Sequence, residues 1–357
     1  MPAYVSAHIN AVATAVPGHD IHAAFLEWAC ARVDPAEAAL FARMARRSAI
    51  GHRWSVLPAL GDGGSPVAPG GFYDRDPLPG TAERMALYGR EAPALALSAI
   101  AALSARTDLT GITHLVVASC TGFVAPGIDQ IIAAKLGLHD VERLLVGFMG
   151  CYAAVAALRS ARHIVRSEPA ARVLVVTVEL STLHLQPARA IEPLLAMLQF
   201  GDGAAAALVS ADAHGFAIGA PFAATLGDSA ELIRWDITDR GFAMHLSGEV
   251  PGRIATALAE PAFARRVTGG HAPDAIDGWA VHAGGRSILD AVAGALALAP
   301  DALDASRAVL ADNGNMSSAT LMFVLARLLG GPPVDRGVAL AFGPGLAAEG
   351  FAFASAR

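Results

Sequence analysis

The chain has 357 residues, including 79 alanines, 25 arginines and a single lysine, and its formal net charge is −6. An acidic protein with one lysine is a poor partner for nucleic acid, and three cysteines in so long a chain fit a reducing, cytoplasmic compartment better than a disulfide framework. Although 54% of the residues are hydrophobic, charges and turn residues interrupt every apolar stretch. No basic region precedes the first one, so we expect neither a membrane span nor a signal peptide.

Short β-branched runs without polar alternation predict strands that are covered on both faces. They comprise residues 113–119, 172–180, 204–210, 278–282 and 337–342. Alanine-rich stretches between these runs predict helices. They comprise residues 91–104, 127–136, 152–167, 286–297 and 317–329. Strands that alternate with helices to the end of the chain predict a layered α/β fold.

Two stretches interrupt this alternation. Residues 61–80 are rich in Gly, Pro and Asp and predict a long loop. Residues 211–227 separate a first set of strands and helices from a second. We therefore expect one compact unit that could consist of two similar halves.

Cys151 is the most specific local feature of the sequence. It follows a glycine and opens a stretch of small residues that predicts a helix. A thiol at the N-terminus of a helix feels a partial positive charge, which lowers its pKa and favours the nucleophilic thiolate. A buried cysteine that only fills space is the competing interpretation.

Two further residues could act with such a nucleophile. His282 ends a predicted strand and precedes two glycines, which is where α/β folds place functional side chains, although a buried structural histidine fits the same pattern. Asn315 precedes an apolar helix and could donate a hydrogen bond to a developing oxyanion, or could form only a turn or a helix cap. Cysteine, histidine and asparagine in this order also occur in papain-like proteases, but the residues around Cys151 do not match those enzymes. The chain has no phosphate-binding loop and no paired ligands for a metal, so we expect neither a cofactor nor a metal ion.

These motifs together resemble the type III polyketide synthases of the chalcone synthase superfamily. The resemblance runs in order from about residue 5 to residue 355. It rests on Met149-Gly150-Cys151, Phe200-Gly-Asp-Gly, Trp279-Ala-Val-His282-Ala-Gly-Gly, Gly314-Asn315-Met-Ser-Ser and Ala341-Phe-Gly-Pro-Gly345. The last block departs slightly from the family pattern at its first residue.

The resemblance implies a five-layer αβαβα thiolase fold and a homodimer. Its N-terminal half, residues 1–215, would carry the nucleophile Cys151, and its C-terminal half, residues 216–357, would carry His282 and Asn315. Cys151 would take a starter from an acyl-CoA. Malonyl-CoA would then lose CO₂ beside His282 and Asn315, and the resulting enolate would extend the chain before ring closure.

The resemblance also implies a substrate pocket and a CoA site. The pocket would include Cys120, Thr121, Ala125, His184, Phe200, Trp235, Met244, Ser317 and Pro344. Phe200 matches one of the two phenylalanines that gate the pocket in the family, and Met244 stands where plant members carry the other. Arg43 and Arg47 lie four residues apart in a helical stretch and would hold the CoA phosphates, although they also fit an ordinary solvated helix face. Cys30, on another predicted helix, is expected to pack.

Bacterial alkylpyrone and alkylresorcinol synthases give the best match around Ala125 and Trp235. A small residue at Ala125 beside Thr121 would leave room for an acyl tail, so a fatty acyl-CoA starter and an alkylpyrone or alkylresorcinol product are expected. Two alternatives remain. One is a type III β-ketoacyl carrier-protein synthase that performs a single condensation. The other is a thiolase-fold binding protein without catalysis.

Overall fold

The computed structural model describes residues 5–57 and 65–356. The helices and strands up to residue 210 are β1 (His8–Ala15), β2 (His19–Asp20), α1 (His22–Cys30), α2 (Ala38–Arg47), β3 (Trp54–Ser55), α3 (Thr81–Ser104), β4 (His114–Ser119), α4 (Ile128–Leu136), β5 (Glu142–Gly147), α5 (Ala153–Ser167), β6 (Val173–Leu180), α6 (Ile191–Gln199) and β7 (Asp202–Ser210). Those that follow are β8 (Phe216–Thr225), β9 (Ile233–Thr238), β10 (Gly241–Leu246), α7 (Val250–Ala259), α8 (Pro261–Val267), β11 (Gly278–Val281), α9 (Arg286–Ala295), α10 (Asp304–Asn313), α11 (Ser318–Leu329), β12 (Gly337–Gly343) and β13 (Ala347–Ser355).

Nine of these strands form a continuous sheet in the order β11-β12-β13-β8-β1-β7-β6-β4-β5. The two halves of the chain meet where β1 pairs with β8, through only two residue pairs, His8 with Ala217 and Ile9 with Phe216. On the first side, β4 is parallel to β6, and β6, β7 and β1 follow antiparallel to one another. On the second side, β11 is parallel to β12, and β12, β13 and β8 follow in the same antiparallel manner. The same pairing pattern therefore occurs once in each half.

Alternation of side chains along the strands separates three hydrophobic clusters. In β6, Val173 and Val175 belong to a central cluster, and the intervening Leu174 belongs to an outer one. In β12, Ala339 belongs to the central cluster and Leu340 to the outer cluster of the second half. The central cluster also contains the buried faces of α5 and α11. Two helical outer layers, two sheet regions and a middle helix layer make the five-layer αβαβα architecture.

The five predicted strands and five predicted helices are present, with shifts of a few residues at most ends. The helix predicted from residue 91 begins ten residues earlier, at Thr81. The separator predicted at 211–227 is wrong, since it contains β8. Pro221 and Gly219 conceal this strand in the sequence because both are unfavourable in strand interiors. Pro221 is tolerated because β8 pairs with β1 only at its first residues.

Of the loop predicted at 61–80, residues 61–64 lie outside the described residues, and residues 65–80 form turns and bends. Within the described ranges, none of the helices combines the length and apolar character that a bilayer crossing requires.

Candidate active site

Cys151 lies in a single 3₁₀ turn, Gly150–Tyr152, that leads into the central helix α5. Its side chain is buried. The preceding Gly150 has φ +72°, and a Cβ atom there would stand 2.4 Å from Cδ of Pro344. Glycine is therefore required on both conformational and steric grounds, and its contact with Pro344 fixes the backbone beside the thiol.

His282 and Asn315 reach the same place from the second half of the chain. His282 follows β11, and its backbone N–H extends the pairing with β12 by donating to the carbonyl of Leu340 at 2.8 Å. The amide nitrogen of Asn315 donates to the carbonyl of Gly284 at 3.2 Å, and its amide oxygen accepts from the N–H of Ser317 at 2.8 Å. Asn315 thus forms the turn that its sequence context allowed, and it also holds the loop that follows His282.

One cavity of about 30 Å³ brings the three predicted catalytic residues together. Cys151, His282 and Asn315 all line it, although they come from three separate segments. Of the residues predicted for the pocket, the same cavity is lined by Cys120, Phe200, Trp235, Met244, Ser317 and Pro344.

The pKa of Cys151 is raised, whereas its position at the start of a helix predicted that it would be lowered. Burial raises the pKa of the thiol to about 12, and the charge of Glu179 adds to this effect, whereas a bond from Ser317 opposes it. Burial also lowers the pKa of His282 to about 3, and neither of its ring nitrogens has a hydrogen-bond partner. Burial therefore favours a neutral thiol and a neutral imidazole, because desolvation opposes the charged form of each.

Glu179 was missed by the sequence analysis. It is fully buried at the end of β6, where its Oε2 accepts from the backbone N–H of Cys120 at 3.0 Å and from the Thr121 hydroxyl at 2.8 Å. The Ser318 hydroxyl also donates to its Oε1. A lone acid near the end of an apolar strand is the signal that could have revealed it, since a buried carboxylate requires several donors.

Cys120 connects Glu179 to the catalytic cavity. Its sulfur lies 3.4 Å from Oε2 of Glu179 and 3.1 Å from the Ser317 hydroxyl, which in turn lies 3.8 Å from the sulfur of Cys151. Burial, followed by the charge of Glu179, raises the pKa of the Cys120 thiol well above its usual range. Cys120 therefore lines the cavity as a neutral thiol within a polar network.

A second cavity of about 70 Å³ lies on the other side of Phe200, Trp235 and Met244, which line both spaces. His184 lines the second cavity. Its Nε2–H donates to the carbonyl of Thr121 at 2.7 Å, and its Nδ1 accepts from the N–H of Phe242 at 3.0 Å. The wall formed by Phe200, Trp235 and Met244 therefore limits the space next to Cys151.

The structure does not support the predicted opening for an acyl tail at Ala125 and Thr121. Ala125 is exposed on the surface, and Thr121 is buried with its hydroxyl committed to Glu179 and to the N–H of Leu180. Neither residue lines either cavity. The prediction that Cys30 packs is also wrong, because this cysteine is exposed at the end of α1.

The predicted CoA residues lie on α2, at the surface. Arg43 is exposed, whereas Arg47 lines a surface cleft together with Arg286 and Asp290. The Arg286 guanidinium donates to the backbone carbonyl of Arg47 at 3.3 Å and pairs with Asp290 at 3.5 Å. Arg286 was not predicted, although an arginine at the first position of a helix was visible in the sequence.

A neighbouring surface depression lies between this region and the catalytic cavity. Met44 and Ser287 line both the cleft and the depression. Leu246 and Ile288 line both the depression and the catalytic cavity. These four side chains therefore lie between the surface near Arg47 and the catalytic cavity.

Two similar halves in five layers, with a cysteine at the start of one central helix and an asparagine before the other, define a thiolase-fold condensing enzyme. Residues 77–213 match the N-terminal domain model of the chalcone and stilbene synthases, and residues 221–356 match the C-terminal domain model.

Named relatives agree with these matches. The chain is 34% identical to the alpha-pyrone synthesis polyketide synthase-like Pks18 of Mycobacterium tuberculosis, over 76% of this chain and 72% of that protein. It is 36% identical to the 1,3,6,8-tetrahydroxynaphthalene synthase of Streptomyces peucetius, over 70% of each chain. The crystal structure of PKS-I from the brown alga Ectocarpus siliculosus superimposes with a TM-score of 0.87 at 29% identity, over 99% of both chains.

The chain belongs to the chalcone and stilbene synthase family and is a type III polyketide synthase, an acyltransferase.

Proposed function

We propose that Cys151, His282 and Asn315 form the catalytic centre for iterative condensation of malonyl-CoA onto an acyl-CoA starter. The observation that supports this most directly is that all three side chains line one buried cavity. Each of these residue types has a role that the reaction requires: a nucleophile, a base that can also donate, and a neutral hydrogen-bond donor.

The starter is transferred first. The unpartnered imidazole of His282 takes the proton of the Cys151 thiol, and the sulfur attacks the thioester carbonyl of the acyl-CoA. The tetrahedral intermediate collapses to acyl-Cys151, and the leaving CoA thiolate takes the proton from the imidazolium. Since burial disfavours both charged forms, a transient ion pair formed only during attack suits this cavity better than a permanent one.

Extension follows in the same cavity. Malonyl-CoA loses CO₂, and the electron pair of the broken bond forms an enolate whose oxygen accepts hydrogen bonds from His282 and Asn315. A pre-organised donor of this kind contributes roughly 3–4 kcal/mol to such a step. The enolate carbon then attacks the acyl-Cys151 carbonyl and releases the Cys151 thiolate, and the chain has grown by two carbons.

Arg47 and the newly identified Arg286 are the proposed contacts for the CoA phosphates. Both line the surface cleft, which shares Met44 and Ser287 with the depression beside the catalytic cavity. Arg43, on the same exposed side of α2, adds positive charge to that surface. The thioester substrates themselves bring all the chemistry, so the proposed reaction uses no metal or other cofactor.

For specificity, we propose an acyl-CoA starter with an aliphatic chain and an alkylpyrone or alkylresorcinol product. The name of the Mycobacterium tuberculosis relative refers to alpha-pyrone synthesis. The room beside Cys151 is small, about 30 Å³, and the wall of Phe200, Trp235 and Met244 separates it from the second cavity, so a long aliphatic chain would require this wall to move.

A homodimer is also part of the proposal. The edge strand β5 is exposed and carries Leu144 and Leu145, which are 41% and 44% exposed, and Phe123 nearby is 47% exposed. An exposed apolar edge strand is available for pairing with the same strand of a second copy. The free cysteines are compatible with a cytoplasmic enzyme.

Purified protein incubated with malonyl-CoA and a series of acyl-CoAs from C2 to C18 tests the proposal. We expect products that are at least two malonyl-derived units longer than the starter, and none from Cys151→Ala. A single condensation that requires a carrier protein would favour the β-ketoacyl carrier-protein synthase alternative. Absence of both acylated Cys151 and malonyl-CoA decarboxylation would favour the binding protein.

A further inference from the structure

Arg53 is a charged side chain that the fold buries almost completely, with 1% of its surface exposed. Nη1 of its guanidinium donates to the backbone carbonyls of Met197 and Phe200, at 2.9 and 3.0 Å. Nε donates to Nδ1 of His22 at 3.1 Å. Arginine is almost never fully buried unless its charge is well partnered, so the position of Arg53 requires an explanation.

The two carbonyls that Arg53 binds lie at the C-terminal end of α6, whose last residue is Gln199. The last carbonyls of a helix have no partners within the helix and carry its partial negative charge, so a cationic donor is favourable there. Burial lowers the pKa of Arg53 to about 9, while the charges of Asp20 and Asp202 oppose this effect, so the side chain is a cation at neutral pH. Arg53 therefore fixes the point at which α6 ends.

The residues that follow this point pair with Asn315. The N–H of Asn315 donates to the carbonyl of Gln199 at 2.7 Å, and the N–H of Gly201 donates to the carbonyl of Asn315 at 3.0 Å. These two bonds make an isolated parallel bridge between Phe200 and Asn315, which belongs to none of the strands. Both bridged residues line the catalytic cavity. The position of the Asn315 backbone in that cavity therefore depends on where α6 ends.

Arg53 also contacts the chain on the other side of this bridge. Gly314 has φ +67°, and a Cβ atom there would stand 2.9 Å from Cγ of Arg53. The indole N–H of the adjacent Trp54 donates to the carbonyl of Asp312 at 3.0 Å, near the end of α10. Arg53 therefore lies between the ends of α6 and α10, the two helices that lead into the bridge.

We propose that Arg53 is a positioning residue that holds Asn315 where its amide stabilises the enolate formed from malonyl-CoA. The NH₂ group of Asn315 donates to the carbonyl of Gly284 at 3.2 Å, which leaves its second N–H for the enolate oxygen. Arg53 acts through the backbone bridge and does not touch the substrate. This role rests on the proposed function, and it makes decarboxylation depend on Arg53 more than acyl transfer to Cys151 does.

Two substitutions at Arg53 and one matched control test this role. Arg53→Lys keeps a positive charge but loses the planar fork of donors, and Arg53→Met removes both. Arg84→Lys is the control, because Arg84 is equally buried and its guanidinium also donates to backbone carbonyls, none of them in α6 or α10. Two half-reactions are measured for each variant. They are the formation of acetyl-CoA from malonyl-CoA and the single-turnover acylation of Cys151 by butanoyl-CoA, which intact mass reveals.

We expect Arg53→Lys to lower the kcat of decarboxylation about 10- to 100-fold, as a displacement of roughly 1 Å does, and to change acylation less than about threefold. Arg53→Met should lose at least as much where it folds. In an Asn315→Ala background, Arg53→Lys should cause no further loss, because the amide that it positions is absent. Arg84→Lys should keep the ratio of the two rates at the parent value. Equal losses in both half-reactions, or additive losses with Asn315→Ala, would show a merely structural role and overturn the inference.

A measurement without turnover separates this role from the proposed function. Hydrogen exchange followed by mass spectrometry compares the parent protein with Arg53→Lys at the amides of Gly201 and Asn315, whose bonds form the bridge. Faster exchange in the peptides that contain these amides, with unchanged exchange in β4 and β6, supports the positioning role even if no condensation occurs. Unchanged exchange at the bridge would contradict it, whatever the activity of the variant.

Discussion

The hydroxyl of Ser317 lies 3.8 Å from the sulfur of Cys151 and is its hydrogen-bond partner. The two residues come from opposite halves of the chain, and each lies at the start of one of the two central helices. His282, the predicted base, has both ring nitrogens unpartnered in the same cavity. Burial thus favours a protonated thiol at Cys151, and the imidazole of His282 has no hydrogen-bond partner among the described residues.

The first prediction concerns the pH dependence of Cys151 alkylation. Because burial raises the pKa of this thiol to about 12, the thiolate fraction of the free enzyme should rise about tenfold per pH unit. The rate of carbamidomethylation at Cys151 by iodoacetamide, followed by peptide mass spectrometry, should therefore increase steadily from pH 7 to pH 10. The exposed Cys30 provides an internal comparison. A rate that levels off below pH 8 would instead indicate a stable thiolate–imidazolium pair and would contradict the prediction.

The second prediction concerns Gly150. Gly150→Ala places a methyl group 2.4 Å from Pro344 at a backbone φ of +72°, so we expect a loss of roughly 2 kcal/mol or more in the free energy of unfolding. Acylation of Cys151 should fall as well, because the displaced backbone carries the nucleophile. Gly294→Ala is the matched control, since Gly294 lies within α9 and nothing stands within 4 Å of its added Cβ. Equal stabilities of the two variants in urea denaturation would refute the steric argument.

The third prediction concerns the buried carboxylate. Glu179→Gln replaces one of the two acceptor oxygens by an NH₂ group. One oxygen accepts from the N–H of Cys120 and the hydroxyl of Thr121, and the other accepts from the hydroxyl of Ser318. We expect a loss of roughly 1–3 kcal/mol in the free energy of unfolding, because a donor then faces a donor. Glu168→Gln, at an exposed position after α5, should change stability by less than about 0.5 kcal/mol. Urea denaturation of both variants measures the difference, and a similar small effect for both would contradict the prediction.

The sequence predicted the layered fold and the three residues of the candidate centre because these depend on local patterns. Apolar strands, small-residue helices and the glycines beside Cys151 and His282 are all visible along the chain. Glu179 could not be placed, since its partners come from two other segments of the chain, at Cys120–Thr121 and at Ser318, and only the folded structure brings them together. The direction of the pocket could not be predicted from the sequence either. Ala125 has the right size for an opening, but its position at the surface depends on the turn after β4.

The fourth prediction concerns Trp235, which separates the two cavities. Trp235→Ala should join them, because Trp235 lines both cavities and the substitution removes its indole ring from the wall between them. We expect the variant to accept longer acyl-CoA starters or to add more malonyl-derived units, which product mass reveals. Ile237→Ala, on the same strand but 58% exposed, is the control and should leave the product distribution unchanged. An identical product distribution for Trp235→Ala and the parent enzyme would show that the wall is not what limits the chain.

The fifth prediction concerns the exposed edge strand. Leu145 is 44% exposed on β5, whose only pairing within the described part of the chain is with β4. If β5 pairs with its copy in a second subunit, Leu145→Lys buries two symmetry-related charges in the interface and should shift the protein towards a monomer. Ile237→Lys adds the same charge to an exposed apolar position on a different strand, β9. Sedimentation equilibrium should give twice the chain mass for the parent protein and for Ile237→Lys, and a lower mass for Leu145→Lys. A parent protein that sediments as a monomer, or a Leu145→Lys variant that remains dimeric, would rule out β5 as the interface.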